Sequence, residues 1–503
     1  MSLSRNIIAN YLGRGWEALI GLAFVPLYIQ YLGVEAWGLV GFMVMMQAWF
    51  AILDMGLAPA LSREMARFTA GAHTAESIRD LLRSLEAVYS GIALAVLVLV
   101  WFAAPWVAVH WLNPEHLSPE IVSQSLLIMG VVLAARMAEQ VYRGAILGLQ
   151  RMVWLSGAQA GLATLRWAGA MAVLVWVEPT IQAFFLWQGT VSLISILVLA
   201  GKTYQYLPKT IRSARFDWSG LLAIRSFAGG MAIISLLALL LTQVDKLLLS
   251  KLVPLSEFGI YTLAATVAGA ISLLTIPIST ALLPRLTELV AREDKTLLVG
   301  TYHRASQWLA VVLVPTSLVL AVFSEQLLWV WTNDAALARQ AGPLLTLLAL
   351  GTMMNGFMHV PFMAQLAYGW TGFAVRVNAV AVAIIVPVIL WAVPRYGAVA
   401  AAWVWLGLNT GYVLISIHFM HRRILCNEKW LWYARAVGVP VLVSGLSVVC
   451  LRLSLPADLG RMQLSAYLVL STTVVTIFTA FTTQEPLLTL KRLLGIKEKV
   501  SDE

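Results

Sequence analysis

Stretches of about 20 apolar residues follow one another along nearly the whole chain, and that is the length a helix needs to cross the hydrocarbon core of a bilayer. About fourteen such spans are expected, at 8–30, 36–58, 84–109, 119–147, 152–177, 180–201, 219–249, 255–283, 301–324, 341–364, 370–393, 397–420, 431–451 and 462–482. The chain therefore reads as an all-α polytopic membrane protein, because lipid offers no water to an open backbone. A barrel is excluded, since its strands would be short and alternating. Composition agrees: 60% of the residues are hydrophobic and 12% charged, against roughly a quarter charged in soluble domains. The first span contains Arg14 and Glu17, which the apolar region of a leader peptide would not carry, so no cleavable signal is expected.

A net charge of +9 suggests a nucleic-acid partner until the cations are sorted by loop. Arg5, Arg63, Arg67, Arg79, Arg83, Arg151, Lys202, Lys209, Arg212 and Arg215 fall on one side of the expected membrane. So do Arg285, Arg292, Lys295, Arg304, Arg422, Arg423, Lys429 and the tail cations Lys491, Arg492, Lys497 and Lys499. The opposite loops carry Lys251, Arg339, Arg395, Arg452 and Arg461. By the positive-inside rule both termini are expected in the cytoplasm, and the basic balance is topology, with no nucleic-acid partner. Cys426 and Cys450 lie near opposite ends of one span, too far apart for a disulfide.

Residues 28–148 align without gaps onto 249–369: Trp37-Gly38 meets Phe258-Gly259, Arg83 meets Arg304, Gly130 meets Gly351 and Gly148 meets Gly369. Six spans per copy keep the second copy in the orientation of the first, a parallel repeat of the kind that places a transporter's substrate between its halves. The expected organisation is a lobe at 1–218, a second at 219–425, and an appendix of two spans and a tail at 426–503.

Six arginines interrupt the spans: Arg14, Arg136, Arg143, Arg166, Arg225 and Arg376. An arginine at the bilayer centre costs about 2.5–3.5 kcal/mol on the insertion scale, so retained arginines point to a bound anion. Arg136 and Arg166 lie deepest and are the strongest candidates for facing a wet cavity. Arg14, Arg143, Arg225 and Arg376 lie within about two turns of the cytoplasmic ends, where snorkelling to headgroups is an equal reading. Arg136, Glu139, Gln140 and Arg143 share one helix face by their i, i+3, i+4 and i+7 spacing, as do Arg14 and Glu17. Glu17 and Glu139 are spaced to pair with these arginines, which would make part of the stripe a structural ion pair. Asp54, Asp245, Lys246, Asn355 and His359 are further cavity or coupling candidates; Asn355 and His359 are i, i+4, while neighbours Asp245 and Lys246 should diverge. Pro26, Pro277, Pro315, Pro361 and Pro387 interrupt spans, as kinks of rocking bundles do. Tryptophans near span ends read as an aromatic belt rather than a sugar platform. No metal-ligand spacing, P-loop or large outer loop is present, so neither an enzyme nor a cofactor is expected. A membrane potential or a gradient of H+ or Na+ is the expected source of energy.

The opening NIIANYLGRGWEALIGLAFVPLYIQYLGVEAWGLVGFMVMMQAWFAILDMGLAPALSREMA and the later LLTQVDKLLLSKLVPLSEFGIYTLA resemble bacterial polysaccharide repeat-unit flippases of the O-antigen type. The resemblance covers residues 1–420. It implies the multidrug/oligosaccharidyl-lipid/polysaccharide exporter superfamily, two six-helix lobes around a cavity, and alternating access. It also implies an undecaprenyl-pyrophosphate-linked oligosaccharide as cargo, with the polymerase and chain-length machinery of surface polysaccharide as partners in the bacterial inner membrane. Fourteen spans match relatives that flip the peptidoglycan precursor. The rival reading is a multidrug antiporter for organic cations, which would use Asp54, Asp245, Glu17 or Glu139; an intramembrane glycan polymerase or ligase is a weaker third.

Overall fold

The computed structural model describes residues 3–54, 56–456 and 458–483; side chains are described from residue 11 onward, apart from 219, 223–235, 237–238 and 280. Every described element is helical, and the chain forms two compact units, 1–259 and 260–503. The first holds α1 (Leu3–Leu32), α2 (Val34–Phe50), α3 (Leu57–Thr69), α4 (Ala75–Trp106), α5 (Pro119–Gly148), α6 (Met152–Trp176), α7 (Ile181–Tyr206), α8 (Trp218–Leu252) and the first turn of α9 (Leu255–Ala270). The second continues with α10 (Ser272–Ala291), α11 (Lys295–Val322), α12 (Ser324–Thr332), α13 (Ala335–Phe357), α14 (His359–Ala367), α15 (Thr371–Tyr396) and α16 (Ala398–Gly411). It ends with α17 (Ile417–Arg423), α18 (Lys429–Trp432), α19 (Val439–Leu453) and α20 (Arg461–Thr482).

Among the described residues 13 segments are long and apolar enough to cross a membrane, where about fourteen are expected from sequence. The difference falls at 219–249, which lies on α8, a helix most of whose side chains are outside the described residues. Several of the other helices start on side-chain caps that satisfy their first free N–H groups. Thr74 accepts from the Ser77 N–H, Ser118 from Ile121 just before Pro119, and Thr180 from Ala183.

In the first unit α5 is central and packs against α3, α4 and α7. Its last turns carry Gly144 and Gly148, where a Cβ would lie 2.8 Å from the Ala58 carbonyl oxygen and 2.2 Å from that of Ser62. That absence of side chain lets α3 lie directly on α5, over a core of Leu61, Met65, Leu82, Tyr89, Val141 and Ala145. In the second unit α19 and α20 dock on α11 through Val319, Phe323, Val448, Leu464, Leu468 and Val475.

Two glycines that the expected repeat aligns, both in the first unit, meet in space. A Cβ on Gly38 would stand 2.5 Å from the Leu255 carbonyl oxygen, and one on Gly259 would stand 2.3 Å from that of Val34. Val34 and Leu255 are themselves aligned positions, so the contact within the first unit is reciprocal. Small residues are what allow membrane helices to approach this closely.

The segment after α7 is tied to the start of α4. Asp80 pairs with Arg212 and accepts the Arg215 N–H at 2.7 Å, Ser84 Oγ accepts the Asp217 N–H at 2.6 Å, and Arg79 donates to the Pro208 carbonyl at 2.8 Å. Asp80→Ala removes two of these ties at once, so trypsin should cut at Arg212 or Arg215 about tenfold faster, the equivalent of about 1.4 kcal/mol of local opening. An unchanged digestion rate would show that the remaining contacts hold the segment.

Candidate functional site in the first unit

Arg136 stands twelve residues before the end of α5, Gly148, which at 1.5 Å per residue places it about 18 Å inside the helix. Its guanidinium is a bridge between three helices. One terminal nitrogen donates to Gln47 Oε1 of α2, and the other donates to Gln188 Oε1 of α7 at 3.0 Å. Gln188 is 1% exposed, so that oxygen has no access to water and depends on the arginine. Gln188 escapes sequence reading because the residues that share its face at i+4 and i+7 are the small hydroxyls Ser192, which bonds back to the Gln188 carbonyl, and Ser195, and these mark no charged stripe.

One turn on, Glu139 lies 3.9 Å from Arg166 of α6, both side chains largely buried. That separation is a Coulombic contact, too long for a hydrogen bond. Glu139 also feels Arg143 and Arg136, and Glu17 of α1 acts electrostatically on both Arg136 and Glu139. The ion-pair partner of Glu139 is thus Arg166 of another helix, where spacing along the chain points to Arg14, Arg136 or Arg143. Around Glu139 gather the guanidiniums of Arg136, Arg143 and Arg166, while Glu17 acts from an exposed position on α1. The buried Nε–H groups of Arg136 and Arg166 have no hydrogen-bond partner, and a charged buried donor without an acceptor is costly.

Beside Arg136 opens a cavity of 520 Å³, lined among others by Gln47, Asp54, Tyr89, Arg136 and Gln140. Asp54 does not present a free carboxylate to it: Oδ1 accepts the Tyr89 hydroxyl and the Ala58 N–H at 3.2 Å. Those bonds cap the start of α3 after the left-handed turn at Gly56, a position that glycine adopts without strain. Tyr89 is the second residue that periodicity does not reveal, being a tyrosine on the apolar part of α4.

The other sequence candidates divide. Arg14 and Glu17 are exposed on α1, which packs on α6 with the Trp16 indole donating to Thr164 at 2.9 Å. The Arg225 side chain lies outside the described residues. Asp245 and Lys246, expected to diverge, come within 3.8 Å of each other, and Lys246 donates to the Thr242 carbonyl at 2.9 Å. In the second unit Asn355 and His359 do not act as one face. The helix breaks at Met358 between α13 and α14. Asn355 donates to Asn409 of α16 at 2.8 Å, whereas His359 meets Thr275 and Ser279 of α10 at 3.3 and 3.1 Å. Arg376 is exposed at the start of α15, its Nε donating to the Gly372 carbonyl at 3.0 Å.

Comparison with known proteins agrees with this architecture. A curated relative from Shigella flexneri, named "Putative O-antigen transporter", is 20% identical over 405 residues, covering 80% of this chain and 94% of that protein. Among solved structures, the lipid II flippase MurJ in an inward closed conformation matches with a TM-score of 0.73 at 13% identity, over 97% of this chain and 99% of that one. The Vibrio cholerae MATE transporter VcmN matches with a TM-score of 0.58 at 14% identity, over 85% and 98%. The MatE family model matches residues 231–391. The model of the family described as polysaccharide biosynthesis protein matches residues 3–290, more than half of the sequence, and the chain belongs to that family, as a multi-pass membrane protein with the fold of MurJ and the MATE transporters.

Proposed function

We propose that this protein is a flippase that carries undecaprenyl-pyrophosphate-linked oligosaccharide repeat units from the cytoplasmic to the periplasmic leaflet of the bacterial inner membrane. The observation that carries the reading is the pair of membrane-depth arginines, Arg136 and Arg166, whose buried Nε–H groups lack acceptors, with Arg136 on the wall of a cavity that Gln47, Asp54 and Gln140 also line. A pyrophosphate supplies several anionic oxygens that such guanidiniums bind through charge-assisted hydrogen bonds. The family match and the O-antigen relative point to the same cargo class. In this reading Arg14, Arg143, Arg225 and Arg376 line the cytoplasmic mouth or anchor the helices there, and the polyprenyl tail stays in lipid. The lobes 1–218 and 219–425 rock against each other, 426–503 is appended, and both termini face the cytoplasm. A polymerase and chain-length machinery act on the product.

Moving two negative charges outward through 100 mV, interior negative, is favourable by about 4–5 kcal/mol if they cross the whole field. An empty cationic site returns inward down the same field, so the potential alone drives the cycle. In vesicles containing the purified protein and a fluorescent polyprenyl-pyrophosphate glycan, collapsing the potential with a potassium ionophore should slow outward flipping at least tenfold. Unchanged flipping with a pH gradient as the only remaining force would transfer the coupling to protons.

The MATE-like fold supports one alternative, an antiporter for organic cations. Its carboxylate would be Asp54, Asp245, Glu17 or Glu139; of these Asp54 lines the cavity, its Oδ2 being the oxygen that Tyr89 and Ala58 do not bond. Asp54→Asn abolishing drug efflux while sparing glycan export would favour that reading.

A further inference from the structure

The second unit holds a cavity of its own, an open trough of 810 Å³ between α15 and the helices α16–α17. Val380, Ile384 and Val388 line it from α15 at i, i+4 and i+8, one helix face. Gly407 and Gly411 form the opposite wall, and a Cβ on either would meet no atom within 4 Å. The trough is deepened where Gly407 and Gly411 carry no side chain, between Val404, Leu408 and Tyr412 on the same wall. Val380, Ile384 and Ile415 remain 59%, 58% and 60% exposed, so the surface is unoccupied by protein.

Charge is confined to one end. Arg376 folds back toward the start of α15 by its bond to Gly372, and there Arg423 lies 4.7 Å over the Trp370 ring. Trp370, Arg376 and Arg423 all line the trough, and no carboxylate does. From Arg376 to Val388 is twelve residues, about 18 Å of helix, close to the half-thickness of a hydrocarbon core of about 30 Å. A further hollow of 660 Å³ begins at Val388 and Val404 and is lined by no charged residue. The cation-tipped part therefore has the depth of one leaflet.

We propose that this trough binds an anionic glycerophospholipid: one acyl chain lies between α15 and α16, and the lipid phosphate sits between Arg376 and Arg423. The match is one of charge and length. A guanidinium pair at an interface selects a phosphate, and basic pockets between membrane helices are how proteins hold anionic headgroups. A polyprenyl tail is several times longer than the trough and would overrun it. The site stands on this geometry; only its assignment to the cytoplasmic leaflet rests on the proposed orientation of the flippase.

The test uses the full chain in phosphatidylethanolamine vesicles with no glycan present. The probe is a trace of phosphatidylglycerol bearing a photoactivatable group at the end of one acyl chain. Labelled peptides should map to 377–388 and 404–415, and a phosphatidylcholine probe should label them about thirtyfold less, the preference expected of two interfacial cations. The double substitution Arg376→Gln with Arg423→Gln should remove that preference, whereas Arg376→Lys with Arg423→Lys should keep most of it. Gly411→Leu, which fills the trough and leaves both cations, should abolish labelling by either probe, and Gly411→Ala provides a milder version if the leucine variant does not elute as folded protein. Equal labelling by the two probes, labelling that maps elsewhere, or displacement of the probe by equimolar undecaprenyl phosphate would each overturn the proposal. Because no transport is measured, these outcomes are independent of whether the chain flips a glycan.

Discussion

Arg136→Ala should abolish export of the lipid-linked glycan while the protein still accumulates in the membrane, and Arg166→Ala should do nearly the same. The Arg136 side chain holds two glutamines from two other helices and still has a buried, free Nε–H. Losing a charge-assisted contact costs about 1.5–3 kcal/mol, or about 10- to 100-fold in binding of the anion. Removing Arg136 also leaves the Gln188 oxygen buried without a donor, a further penalty of about 1–3 kcal/mol that falls on the fold. The two effects separate with Gln188→Leu, which removes the unsatisfied oxygen and spares the cation: it should retain export, and combined with Arg136→Ala it should restore stability without restoring function. Arg136→Lys keeps the charge but cannot reach Gln47, Gln188 and a phosphate together, so partial activity is expected. If both arginines hold one pyrophosphate, the double alanine variant should be no worse than the weaker single one. Complementation of a strain lacking its repeat-unit flippase, with the protein quantified in membranes, measures all of these. Normal surface glycan from both single alanine variants would sink the anion site.

The second large effect concerns folding. Gly259→Ala and Gly38→Ala should each lower stability by about 1–3 kcal/mol, and Gly259→Leu should prevent accumulation. The added Cβ meets main-chain carbonyls of Val34 and Leu255 at 2.3 and 2.5 Å, and a backbone cannot rotate away as a side chain can. The controls are Gly91, Gly157 and Gly161, helical glycines at which an added Cβ would have nothing within 4 Å. Alanine at any of them should be neutral, or stabilising by up to about 1 kcal/mol through helix propensity. Thermal unfolding followed in detergent distinguishes the two groups. Equal melting of Gly259→Ala and Gly161→Ala would mean that the first turns of α2 and α9 do not touch.

Much of the fold is legible in the chain because a membrane helix is fixed by quantities that add residue by residue. Transfer of each apolar side chain, the length of the core and the expense of a buried cation are local, so the spans and the depth of Arg136 follow from counting. Spacing also foretells the grouping of Arg136, Glu139, Gln140 and Arg143, as long as the helix that carries them is continuous. Where the helix breaks, spacing misleads. Asn355 and His359 are four residues apart, but the interruption at Met358 sends one to α16 and the other to α10.

The sequence by itself determined that this chain crosses a membrane many times and holds guanidiniums deep inside it. Only the tertiary structure decided that Gln47 and Gln188 hold Arg136, that Arg166 meets Glu139, and that Asp54 caps a helix. It also decided that Arg376 lies on an open trough. The physical reason is that burial expense belongs to a residue, whereas a partner belongs to whichever helix face packs against it. That choice is made by shape, here by glycines at 38, 144, 148 and 259 that let backbones meet and at 407 and 411 that leave a space open.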